Sequence, residues 1–173
     1  AIGTTYTLNL LTLLAIPLSF AKFELKNKDD ILKSPLSILE AVRRPVGKLY
    51  VFCQTGGIKV PKSPNHLFQY LEKIIVEVKA PNPEGIFHPK LWVLRFIDKS
   101  GESVFYRFLC LSRNITFDKS WDTILLLEGD VRKRHYSKNR PLAEFLESLP
   151  GLSKSGLSHR SKKEIEKLSL IHI

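Results

Sequence analysis

The chain has 173 residues, 43% hydrophobic and 25% charged, which is ordinary for a globular domain and too apolar for a disordered chain. Lys and Arg number 27 against 17 Asp and Glu, and the resulting charge of +10 favours polyanions, nucleic acid ahead of an anionic membrane. Cys53 and Cys110 lie far apart in apolar runs with no Cys/His cluster, which argues against structural zinc and suits free thiols in a reducing cytoplasm.

Taken in chain order, Ala1–Tyr6 reads as a β-branched strand. Thr7 or Asn9 can cap a helix over Leu8–Leu18, apolar nearly all round and hence central. The run Leu8–Ala21 resembles the apolar core of a secretion signal, but no positive charge precedes it and Pro17 interrupts it. It is also too short to span a bilayer, so a buried helix is the better reading and no membrane association is expected. Charged Asn27–Lys33 belongs at the surface, and Ser34-Pro35 opens a helix that Pro45 stops after Arg43. Lys48–Gln54 is the second strand. The loop after it, Thr55-Gly56-Gly57 with Lys59 and Lys62, has room for a phosphate, although a plain loop is the simpler reading. Ser63-Pro64 starts a short helix through Tyr70, Ile74–Val78 is a third strand, and Pro81–Gly85 is a loop.

Two β-prone runs follow, Lys90–Ile97 and Val104–Leu111, joined by the turn cluster Asp98–Glu102. Folded as an antiparallel hairpin, their paired numbers sum to roughly 201. Lys90 then faces Leu111, and His88 falls near Arg113. The open end gathers His88, Lys90, Ser112 and Asn114, each pair two residues apart and so on one side of its strand. An imidazole, a cation and two hydrogen-bonding side chains at one sheet edge make a candidate phosphate site. Beyond it, Thr123–Leu127 is a wholly apolar strand suited to the sheet interior. Asp130–Arg140 is a basic run, Pro141–Leu149 an amphipathic helix, and Pro150–His159 a Gly/Ser-rich linker. Arg160–Leu170 is a charged helix with too little apolar face to stand alone.

His88-Pro89-Lys90, followed at hairpin distance by Ser112-Arg113-Asn114-Ile115-Thr116, resembles the phospholipase D superfamily. The resemblance implies an α/β fold with a mixed central sheet flanked by helices, phospholipase D-like. It implies His88 as the nucleophile that forms a phosphohistidine, and Lys90, Ser112 and Asn114 as the groups that hold the phosphate oxygens. Asp122, ten positions after Ser112, would support the histidine. No metal or cofactor is implied. Two positions depart from the pattern: Arg95 stands where phospholipases carry Asp, and Leu111 where Gly precedes the serine. Nucleases of the superfamily often lack that Asp.

Only one half-motif is present, since His66 and His135 have no Lys two residues on. Residues 1–149 therefore read as one catalytic half-domain, and 150–173 as a linker and helix leading toward a second half. The partner half-site is expected from a homodimer or from the rest of a longer chain, since a sequence of this length without methionine reads as part of something larger. Arg113, Lys119, Arg132, Lys133 and Arg134, with Lys138 and Arg140 beyond them, ring the site as candidate nucleic-acid contacts, and DNA is favoured over RNA. The expected function is a metal-independent phosphodiesterase, a cytoplasmic nuclease, with restriction or phage defence as the context by analogy. Two alternatives stay open. Glu77 and Lys79, ending an apolar strand, resemble part of a metal-dependent restriction-type site that would need Asp29 or Asp30. The domain could instead be a basic nucleic-acid-binding module without catalysis.

Overall fold

The computed structural model describes residues 1–24, 35–63, 65–131 and 137–169. It is an α/β fold built on a mixed six-stranded sheet flanked by helices. Strands β1 (Ile2–Thr5), β3 (Tyr50–Gln54) and β5 (Ile75–Val78) are parallel, whereas β6 (Leu91–Ile97), β7 (Val104–Leu111) and β8 (Ile124–Asp130) form an antiparallel meander. β6 joins the halves by pairing antiparallel with β1, giving the order β5-β3-β1-β6-β7-β8. Strands β2 (Leu8–Asn9) and β4 (Ile58–Lys59) make a small parallel pair beside it. The β6–β7 register is the expected one: Leu91 faces Cys110 and Ile97 faces Val104, each pair summing to 201. Gly101 at φ 80° closes that turn, a conformation open to glycine at little steric cost.

Alternation along β3 divides the core. Val51 and Cys53 point to one face, where Leu10, Leu13 and Leu14 of α1 (Leu10–Glu24) pack with Val42 of α2 (Pro35–Arg43) and Leu71 of α3 (Phe68–Leu71). Tyr50 and Phe52 point to the other, under Leu146 of α4 (Arg140–Ser148) and Ile165 of α5 (His159–Ser169). Asn9 does cap α1, its Oδ1 accepting from Leu11 N at 2.9 Å. That helix is not central as expected: Leu11 is exposed, so only one stripe is buried against the sheet. The third helix is shorter than expected and follows Asn65, whose Oδ1 accepts from Leu67 N. Trp92 lies across Gly3 on the neighbouring strand, where a Cβ would come within 2.6 Å of the indole ring.

Two further expectations are corrected. The Gly/Ser-rich stretch after residue 149 is packed rather than free. Lys79 N donates to Leu152 O and Lys154 N to Glu77 O, so the segment pairs along the outer edge of β5. Leu149, Leu152, Leu157, Ile165 and Leu168 then close the core, because their apolar spacing outweighs the Gly/Ser content around them. The second correction concerns β8, which is an edge strand and not an interior one. Ile124, Leu125, Leu126 and Leu127 are each about half exposed. Among the described residues no helix is long and apolar enough to cross a membrane.

Candidate active site

The carboxyl ends of β1 and β3, the start of β6 and the end of β7 share one sheet edge, which is where open α/β sheets offer their binding crevice. Asn114 is fixed there by β1. Its Oδ1 accepts from Tyr6 N at 3.1 Å and Thr7 N at 3.3 Å, with Thr5 Oγ1 also at 3.3 Å. A backbone N–H can only be met by the amide oxygen, so the Asn114 NH2 must point away from β1. Thr5 Oγ1 takes Ile115 N, and Thr4 Oγ1 takes Leu91 N, so both chain segments are tied to the same strand end.

His88 and Lys90 arrive on the stretch leading into β6. Phe87 is buried and its N–H donates to Gln54 Oε1 at 2.6 Å, which anchors the approach. His88 is exposed and packs its ring against Tyr6, centroids 5.1 Å apart, beside the backbone that holds Asn114. Lys90 Nζ stands 3.0 Å from His88 Nδ1 and 2.9 Å from Nε2, with a third contact to His88 O at 3.3 Å. An ammonium only donates, so the ring nitrogen it uses must be the unprotonated one. Desolvation lowers the Lys90 pKa below the ordinary lysine value. Tyr6 is thus the common neighbour of His88 and Asn114.

Ser112, Arg113 and Asp122 do something other than expected. Ser112 Oγ donates to Asp122 Oδ1 at 3.2 Å and accepts from Thr123 N at 2.9 Å, so its proton is engaged within the loop. The other Asp122 oxygen is 3.0 Å from Arg113 Nη1. Both carboxylate oxygens are therefore occupied by Ser112 and Arg113, and the ring contacts of His88 are Lys90 and Tyr6 instead. Arg113 also donates from Nη2 to the carbonyls of Thr116 and Asp118. A guanidinium used in this way is a staple for the 112–122 loop. Hydrogen bonds from Ser120 and Thr116 hold the Asp118 carboxyl down at about 2. Lys119 is exposed in that loop. Arg132, Lys133 and Arg134, with His135, lie outside the described residues, and Arg140 pairs with Glu144.

The glycine loop after β3 supports the site from beneath. A Cβ on Gly57 would come within 2.2 Å of Tyr6 O, so this glycine is explained by close backbone approach. Glu77 accepts from Gly56 N and pairs with Lys154 at 3.7 Å, roles that hold the β5 edge. Asp29 and Asp30 lie outside the described residues, and among the described ones no group of three His, Cys, Asp or Glu side chains gathers. Sequence reasoning missed Tyr6 and Gln54; their signal was position, each at the carboxyl end of a parallel strand. Chemically, an exposed imidazole, an adjacent ammonium and an outward amide NH2 are groups that can bind a tetrahedral oxyanion. Comparison with protein-family models, with curated proteins and with solved structures found no match.

Proposed function

We propose that this chain supplies one half of a phospholipase D-like phosphodiesterase site that cleaves nucleic acid, DNA ahead of RNA. The observation that carries the reading is the contact of Lys90 Nζ with both ring nitrogens of His88 at an exposed sheet edge beside Asn114. Such a contact places an ammonium beside the imidazole, where the phosphate oxygens would sit in the proposed reaction.

In this reaction an imidazole nitrogen of His88 attacks phosphorus as the P–O bond to the leaving group breaks. The departing oxygen takes its proton from a histidine of the second half-site, supplied by a homodimer or by the rest of a longer chain. Water then attacks the phosphohistidine, giving its proton back to that second histidine as P–N breaks and the His88 imidazole is returned. Lys90 and the Asn114 NH2 stabilise the oxyanion charge, the work that a metal ion does in other phosphodiesterases. Asp122, with Ser112 and Arg113, acts as a positioning group for the loop that carries Asn114. The protein is read as cytoplasmic.

The test is cleavage of a DNA substrate in chelator by the form that carries both half-sites, with acid-labile phosphate sought on an imidazole. His88→Ala and Lys90→Ala should abolish cleavage with unchanged unfolding curves, since neither side chain is in the core. Cleavage retained by either variant would defeat the assignment.

A further inference from the structure

Phe117 and Trp121 are the feature the phosphate chemistry leaves unexplained. Trp121 is 102% exposed and Phe117 69% exposed, both in the loop between Asn114 and β8. An indole held wholly in water gives up the burial that usually stabilises a tryptophan. The loop is nevertheless well ordered by its own hydrogen bonds. Arg113 ties Thr116, Asp118 and Asp122 together, and Asp118 accepts from both Thr116 and Ser120. Two rings are therefore held toward solvent by a preorganised frame.

Their position points to what they meet. Trp121 precedes Asp122, which is bonded to Ser112, and Phe117 lies three residues after Asn114. Four residues apart, the rings branch from backbone positions no more than about 14 Å from each other. Lys119 lies between them, and the chain as a whole carries +10. Aromatic faces next to a phosphate site and a cation suit a strand whose bases are splayed out. A duplex keeps its base faces stacked inside and offers these rings nothing but its backbone. A protein partner is the poorer fit, because Asp118, Lys119 and Ser120 separate the rings and interface centres are depleted in charge.

We propose that Phe117 and Trp121 are a stacking platform that selects single-stranded nucleic acid. The inference rests on the phosphate site proposed above for the placement of the backbone. Binding is measured on the full chain by anisotropy of a labelled oligothymidylate, and of a duplex of equal length, at one stated salt concentration. Quenching of the solvent-exposed indole is followed in parallel. The wild type should prefer the single strand and lose Trp121 emission on binding. Trp121→Ala and Phe117→Ala should each weaken single-strand binding on the order of tenfold and leave duplex binding within about twofold. Equal losses on both ligands, or no loss on either, overturns the platform. So does a Trp121→Ala chain that binds as before and changes only its sedimentation, which would make the rings a protein contact. Strand preference without any cleavage by the form that carries both half-sites sinks the phosphodiesterase reading and keeps the platform, whereas cleavage without strand preference does the reverse.

Discussion

Replacing Gly57 with alanine tests whether the glycine loop is a structural prop for the site. The added Cβ would sit 2.2 Å from Tyr6 O and 2.9 Å from Gln54 O, against a comfortable carbon–oxygen contact of about 3.3 Å. Both obstacles are backbone atoms, so relief requires moving strand ends by roughly 1 Å rather than turning a side chain. Overpacking of this kind costs about 1–3 kcal/mol, and backbone obstacles place Gly57→Ala near the upper end. For a chain of this size about 3 kcal/mol lowers the melting temperature by about 6–12 °C. Gly56→Ala is the control. Its φ of +79° carries a left-handed penalty of about 1–2 kcal/mol, but nothing lies within 4 Å of its Cβ. Asparagine, which tolerates that conformation, should recover much of the loss at 56 and none at 57. Urea unfolding followed by circular dichroism ranks the four variants. A Gly57→Ala protein within about 1 kcal/mol of wild type, or one more stable than Gly56→Ala, refutes the close-approach argument.

Asn114→Asp keeps an acceptor for Tyr6 N and Thr7 N but removes the NH2, so stability should hold within about 1 kcal/mol while phosphodiester cleavage disappears. Cleavage by that variant would show the amide to be purely structural. With Ellman's reagent at pH 8, exposed Cys110 should react at once and Cys53 only on unfolding, because burial first and Glu77 second push the Cys53 thiol up to about 12. Two fast thiols per chain would contradict this. Leu126→Lys should reduce self-association measured by light scattering, since Ile124–Leu127 of edge strand β8 are apolar and about half exposed. An unchanged particle size would show the edge to be inert.

The hairpin was legible because its information is local: a glycine able to take positive φ between two apolar, β-prone runs puts the pairing sum near 201, the value that the structure has. His88, Lys90 and Asn114 could therefore be placed at one end of the sheet in advance. Tyr6 carried only the signal of a strand end, because its place beside His88 depends on β1 pairing with β6, a contact between distant segments. The position of β8 was misread for a related reason. A continuous apolar run says that both faces avoid water, and it is silent on how many strands lie beyond. The packed stretch after residue 149 shows the converse: Gly and Ser suggested a linker, yet Leu149 and Leu152 decided its fate.

Arg113 and Asp122 make a carboxylate compatible with the anion site proposed at this edge. An unpaired Asp122 would oppose any incoming phosphate. Paired at 3.0 Å to a guanidinium and at 3.2 Å to a hydroxyl, its charge is largely cancelled at a distance. Lys90 is then the cation of the site that faces the His88 ring, and its partial desolvation strengthens its pull on an anion. Asn114 follows the same logic, since the backbone donors of Tyr6 and Thr7 claim its oxygen and turn its hydrogens outward. The Asn114 oxygen and both Asp122 oxygens are thus taken by donors of the fold, while Lys90 and the Asn114 NH2 contribute donors. That asymmetry, more than any single residue, is what the proposed phosphate site rests on.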